Sequence, residues 1–189
     1  MTEPTRSDEH VRLRRLTTPD LTDTEIAALR ALLWAAFPPG EEGFTEDDWE
    51  HALGGIHVVL DVDGVVVAHA SVVERELHVG DRPARTGYVE AVAVDPARQG
   101  GGLGTRVMQE IDADIVERFE LGALGTGAHH FYERLGWRAW QGPTSVRSGD
   151  GTQRTPDEDG FILVLPTPTW PDPDLTAPLS CDWRPGDVW

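Results

Sequence analysis

The stretch Tyr88 to Met108, YVEAVAVDPARQGGGLGTRVM, constrains the fold more than any other part of this 189-residue chain. Tyr88 to Val94 is apolar and largely β-branched, which reads as a buried strand, yet it carries one carboxylate, Glu90. A buried charge needs a partner or a task. Asp95-Pro96 ends the strand, Gln99-Gly100-Gly101-Gly102-Leu103-Gly104 forms a loop, and Thr105-Arg106-Val107-Met108 opens a helical pattern. Amides without Cβ neighbours, followed by the unpaired first N–H groups of a helix, suit a phosphate; a plain turn uses the same glycines. No Gly-Lys-Ser/Thr follows, so this is not a Walker loop, and no GxGxxG with an acidic residue about twenty positions on is present.

The flanking patterns supply the other layers. Val11 to Thr17 alternates apolar and basic residues as an amphipathic strand does, and Thr22 to Glu25 forms a capping box for a helix that Pro38-Pro39-Gly40 stops. Thr45 caps a short helix through Leu53. His57 to Val62 and a strand from Val65 to His78 are joined by Asp63-Gly64, a strong hairpin signal, and Gly80 to Arg85 leads into the Glu90 strand. After the loop come a helix of about four turns through Phe119, a strand Leu121 to Leu124, a helix Ala128 to Leu135, and strands starting at Trp137 and Phe161. Pro166 to Pro178 reads as an extended connection, and Trp183 and Trp189 are expected to pack the terminus down.

Length and composition predict one domain, residues 10–189, behind a flexible N-terminus at residues 1–9. The polar N-terminus lacks a secretory pattern and no apolar run approaches eighteen residues, so the expectation is a soluble, cytoplasmic protein with no membrane partner. A single cysteine, Cys181, excludes an internal disulfide, has no local partner motif and reads as inert. His129 and His130, adjacent on a helix, do not face one point, and no metal is assigned. The formal charge of −17 disfavours nucleic acid. The acids cluster at Glu41, Glu42, Glu46, Asp47, Asp48 and Glu50, and again from Asp150 onward, which suits a polycationic ligand; solubility alone also accounts for acidity.

The Gln99, Gly102 and Gly104 pattern after an apolar strand resembles the acetyl-CoA loop of the GCN5-related N-acetyltransferases (GNAT). The strings HALGGIH, GYVEAVAV, LGALGTG, FYERLGWRAWQGPTSV, RTPDEDG and CDWRPGDVW resemble one branch, the aminoglycoside 2'-N-acetyltransferases, from His51 to Trp189. The resemblance implies an α/β (α+β) GNAT fold: a mixed, mostly antiparallel sheet with helices on both faces. It implies acetyl-CoA as cosubstrate, a polycationic aminoglycoside as acceptor, and a homodimer. Val92, Ala93 and Val94 would pair with the pantetheine arm, and Gln99, Gly100, Gly101, Gly102, Leu103 and Gly104 would hold the pyrophosphate. Asp48, Glu90, Asp157, Glu158 and Trp189 with its carboxylate would hold the antibiotic. Ala91 stands where the branch usually has glycine, and Gly125 where a serine would contact the sugar.

Within that resemblance Glu90 is the candidate base, acting through water, and Tyr132 the candidate acid near the thioester sulfur. A structural ion pair for Glu90, and packing of Tyr132 against Phe131 and Trp137, are the alternatives. An acetyltransferase for another cationic amine and a non-catalytic acyl-CoA-binding module also fit the residues.

Overall fold

A computed structural model describes residues 10–40 and 43–189; residues 1–9, expected to be flexible, and Glu41 and Glu42 of the first acidic cluster lie outside the described residues. Strand β1 (Val11–Thr17) pairs antiparallel with β2 (Ile56–Val62), and helices α1 (Asp23–Ala36) and α2 (Glu46–His51) lie between them in the chain. Both helices start as their sequences predict, with Thr22 and Thr45 accepting from the amides of Glu25 and Asp48. Asp63 and Gly64, both at positive φ, turn β2 into β3 (Val65–Val79). Strand β4 (Arg82–Val94) follows antiparallel. It begins at Arg82, within the segment expected to be a connection, because Val79 pairs directly with Arg82 across a tight turn.

The glycine loop then enters α3 (Leu103–Arg118), followed by β5 (Leu121–Gly125), α4 (His129–Glu133), β6 (Arg138–Ala139), β7 (Thr144–Ser148), β8 (Gly151–Arg154), β9 (Ile162–Pro166) and β10 (Leu179–Asp182). All strands join one mixed sheet, in the order β6-β9-β5-β4-β3-β10-β7-β8, with β2 and β1 sharing the β10 edge of β3. Strand β10 runs antiparallel to β3 and parallel to β7, an interior position that the proline-rich tail did not advertise. Among the described residues no helix is long and apolar enough to cross a membrane.

Strand alternation sorts the core. On one face, Val107, Met108, Ile111 and Ile115 of α3 pack with Val58, Leu60, Val72 and Val89. On the other, Leu29, Leu32 and Leu33 of α1 and Trp49 of α2 cover Val59 and Ala93, while Tyr88, Leu179, Cys181 and Trp189 form a neighbouring cluster. Helices thus cover both faces, as the resemblance implied.

Two departures from regular pairing shape the middle of the sheet. Strand β4 pairs in parallel with β5 only from Thr86–Leu121 to Tyr88–Ala123, after which the two part. Just beyond, Glu90 faces Ser71 and Ala93 faces His69, so Ala91 and Val92 oppose the single residue Ala70 in a β-bulge. Ala91 sits at φ 52°. The extra residue reverses the alternation: Val89 faces the α3 core, but so do Val92 and Val94. Glu90 is thereby turned away from the side that Val92 and Val94 occupy.

A left-handed alanine costs about 1–2 kcal/mol, against about 0.5–1 kcal/mol for the extra chain entropy of a strand glycine. Ala91→Gly is therefore expected to stabilise the fold by up to about 1.5 kcal/mol, seen as a higher urea midpoint at unchanged m-value; a lower midpoint would contradict the bulge geometry.

Candidate active site

Beyond the point where β4 and β5 part lies a cavity of about 660 Å³. Val92, Ala93, Val94, Gln99, Gly100, Gly102, Leu103 and Gly104 line it, along with Phe131 and Tyr132 of α4. Gly101 is the one residue of the expected cofactor segment that does not. Gly100 and Gly102 adopt φ 80° and 78°, which explains glycine at both. The first helical bond of α3 runs from the Arg106 amide to the Gly102 carbonyl at 3.1 Å, so the amides of Leu103, Gly104 and Thr105 precede it at the positive end of the helix. A Cβ on Gly104 would meet Phe131 at 3.3 Å and Val94 at 3.4 Å, narrowing the cavity there. Donors at one end and apolar walls behind them suit a ligand with a phosphate head and a slender, less polar arm.

Tyr132 packs against its aromatic neighbours, its ring 4.8 Å from Phe131 and 6.1 Å from Trp137, and also lines the cavity. Burial, aided by the charge of Asp112, holds its phenol well above the usual range. Asp112, which accepts from the Trp137 indole at 3.1 Å, is itself pushed up to about 7 by burial.

Glu90 belongs to the opposite side. Its carboxylate accepts from Arg184 Nη1 at 2.6 Å, with both side chains largely buried. Burial raises its pKa, and the adjacent guanidinium pulls in the other direction. Arg184 also donates to the Asp187 carbonyl at 2.8 Å and to Trp189 O at 3.3 Å. Arg75 donates to the Val188 carbonyl at 2.8 Å, and the Trp189 indole to Thr155 Oγ1 at 3.0 Å. His51 Nε2 lies 2.8 Å from the Pro185 carbonyl, tying the tail to α2. Trp189 packs as expected, whereas Trp183 is 60% exposed. The expectation for Trp183 fails because the chain beyond β10 turns Trp189 and Val188, not Trp183, onto the core.

Glu158 and Asp157 lie in a short 3-10 turn, Pro156–Glu158, beside this tail. Burial raises the Glu158 pKa, with further contributions from Asp187 and Asp157, and Asp187 also acts on Glu90. Four carboxyl groups therefore share one field. Asp187 and Arg184 were not singled out in the sequence, although both lie in the string CDWRPGDVW that carries the resemblance. Asp48 accepts the amide and hydroxyl of Thr45 through Oδ2, each at 2.8 Å, and so caps α2 while its other oxygen remains outside those bonds. Ala91 forms the bulge next to Glu90. Gly125 ends β5 under the ring of Phe161, which a Cβ would meet at 3.3 Å. The Cys181 thiol is buried and donates to the Val188 carbonyl at 3.2 Å. Among the described residues no three His, Cys, Asp or Glu side chains are grouped to hold a metal ion.

A mixed sheet whose strands β4 and β5 part beside a glycine loop and the start of a helix has the architecture of an acyl-group transferase. The chain belongs to the acetyltransferase (GNAT) family, which it matches over residues 26–137. It is 43% identical over 180 residues to the aminoglycoside 2'-N-acetyltransferase of Mycolicibacterium fortuitum, covering 93% of this chain and 91% of that protein. Among solved structures, a GNAT acetyltransferase from Brucella melitensis in complex with acetyl-CoA aligns with TM-score 0.55 at 21% identity, over 81% of this chain and 94% of that one. A GCN5-related N-acetyltransferase from Kribbella flavida aligns with TM-score 0.58 at 20% identity; 71% of this chain is covered, but only 34% of that longer one.

Gly186 fixes how closely the tail docks. It sits at φ 70°, and a Cβ there would meet Asp47 Cβ of α2 at 2.6 Å. Gly186→Ala is expected to destabilise the tail by about 2 kcal/mol or more, measured as faster amide hydrogen exchange at Val188 and Trp189; unchanged protection would show that the tail does not depend on this approach.

Proposed function

We propose that this protein transfers the acetyl group of acetyl-CoA to the 2'-amine of aminoglycosides. The observation that carries the reading is the placement of Glu90: a buried carboxylate amid acidic groups on one side of the β4 bulge, with a phosphate-suited cavity on the other. The relative in Mycolicibacterium fortuitum supports the acceptor class. Within this reading the cofactor lies along Val92, Ala93 and Val94, with its phosphates on the amides of Gln99 to Gly104. Acetyl-CoA bound there supplies the activated thioester carbonyl.

The chain's own residues then divide the work. Glu158, Asp157, Asp187 and Glu90 draw in a polycation by charge-assisted hydrogen bonds, strengthened by partial burial. An ammonium has no lone pair, so the acceptor must lose a proton, and burial makes Glu90 a better proton acceptor than an exposed carboxylate. Arg184 keeps enough of it ionised to act. Tyr132, the candidate acid, keeps its proton and hydrogen-bonds the sulfur as negative charge grows there, because a phenol held above its usual range is a poor donor of a whole proton. The departing thiolate takes its proton from water, and Glu90 returns the acceptor's proton to water. A homodimer belongs to the same reading and rests on the family resemblance; a cytoplasmic setting belongs to it too and rests on the polar composition of the chain.

Free-thiol release from acetyl-CoA tests the reading. Release is expected with gentamicin or tobramycin, which carry a 2'-amine, and little with kanamycin A, which has a hydroxyl there. Release with none of the three, from protein that binds acetyl-CoA in calorimetry, would redirect the acceptor to another cationic amine.

Two substitutions probe the roles. Tyr132→Phe keeps the ring packing and is expected to lower kcat about 10²-fold with KM for both substrates within a few-fold; an unchanged kcat would remove Tyr132 from the mechanism. Removing the Arg184 charge leaves only the weaker pull of Arg75 against burial, so the Glu90 pKa rises and less carboxylate is ionised at neutral pH. Arg184→Gln should therefore move the acidic limb of the kcat/KM profile upward by about one pH unit or more; a shift downward would contradict the pairing.

A further inference from the structure

The bulge that turns Glu90 is held from behind by two histidines outside the site. His57 of β2 and His69 of β3 are both fully buried, with ring centroids 5.3 Å apart. His69 Nδ1 lies 2.8 Å from the Ala91 carbonyl, His69 Nε2 lies 3.0 Å from His57 Nδ1, and His57 Nε2 lies 2.8 Å from Thr18 Oγ1. The Gly54 amide donates to the same hydroxyl at 2.8 Å.

Donor and acceptor rules fix the direction of this chain. A carbonyl only accepts, so His69 carries its proton on Nδ1 and accepts at Nε2. His57 must then donate from Nδ1 and accept at Nε2 from the Thr18 hydroxyl, which in turn accepts from Gly54. With both rings neutral every polar atom is satisfied. Burial favours the neutral state, lowering His57 to about 4 and His69 to about 3. The chain is not a proton wire, because it ends on a carbonyl, which has no proton to pass on.

What it holds is the strained residue. The bulge interrupts the regular register here, and two side chains of β3 bond the carbonyls at it: Ser71 Oγ donates to Glu90 O at 3.1 Å, and His69 to Ala91 O. Peptide orientation on both sides of a left-handed alanine is thus set by side-chain donors. Acyl transfer is sensitive to such settings, since a misplacement of about 1 Å can cost about 10²-fold in rate.

We propose that His57 and His69 are positioning residues for acetyl transfer, a tandem imidazole brace that fixes the Ala91 peptide and so aims Glu90 and the Val92–Val94 backbone. The inference rests on the reading of Glu90 given above.

The test separates the brace from that reading. Asparagine places its amide nitrogen where His Nδ1 stands, while glutamine places it where Nε2 stands. Acetyl transfer to tobramycin by His69→Ala, His69→Gln and His69→Asn is measured alongside ¹⁵N spectra of the histidines and of the Glu90 to Val92 amides. The brace requires His69 as the Nδ1–H tautomer in the wild type. It requires kcat to fall about tenfold or more in H69A and H69Q but less than about threefold in H69N, with KM for acetyl-CoA little changed in all. The amide shifts of Glu90 to Val92 should move in H69A and H69Q and return in H69N. A proton on His69 Nε2, wild-type kcat in H69A, or equal damage in H69N and H69A overturns the proposal. If tobramycin proves not to be an acceptor, the tautomer and amide shifts still decide it, and if H69A fails to fold, the wild-type tautomer and the H69N–H69Q contrast decide it.

Discussion

One extra residue in β4 organises the site. Regular alternation would send Glu90, Val92 and Val94 to the same face of the sheet. With Ala91 and Val92 opposing Ala70, Val92 and Val94 join the α3 side, and Glu90 stays with the tail. The sheet can thus present a phosphate-suited cavity and an acidic surface within a few residues of each other without one filling the other. The parting of β4 from β5 follows the same logic, since pairing ends at Tyr88, with only Val89 and Glu90 before the bulge.

The electrostatics require that separation. A chain with formal charge −17 repels phosphate, and a cluster of carboxylates close to the glycine loop would defeat its amides. Holding Glu90, Asp157, Glu158 and Asp187 on the tail side keeps the α3 dipole free of them. Arg184 is the local counterweight. Leaving a buried charge such as Glu90 without a partner costs about 3–5 kcal/mol, so the ion pair matters to the fold as well as to the chemistry.

The sequence made the frame legible where local physics decides it. Thr22 and Thr45 mark helix starts, Asp63-Gly64 marks the hairpin, and the glycines at 100 and 102 mark the loop, because capping and positive φ are set by near neighbours. The β-bulge was not legible: it depends on register across β3 and β4, and an alanine gives no hint of φ 52°. Strand β10 was missed for a related reason, as its partners Val79 and Thr144 are far away in sequence and the prolines before it argue for a connection. Arg184 and Asp187 went unnoticed because a tail read as packing leaves its charges looking like solvent-facing ones. The brace of His57 and His69 needed coordinates, since single histidines on apolar strands carry no signal of pairing.

The tail's role follows from its interior strand. Three residues of β10 pair with β3 and four with β7, so withdrawing it would split the sheet and not open a flap. The segment beyond it inherits that rigidity through Arg75, His51 and Thr155, which hold Val188, Pro185 and Trp189. Arg184 is therefore delivered to Glu90 by a fixed element, not by a mobile loop. A carboxylate paired by a rigidly held guanidinium keeps its geometry when a polycation arrives, whereas a loosely held pair would rearrange around the new charges and lose alignment. In the proposed reading the acceptor meets the exposed carboxylates Asp157 and Asp187, whereas Glu90 is largely buried and already paired with Arg184.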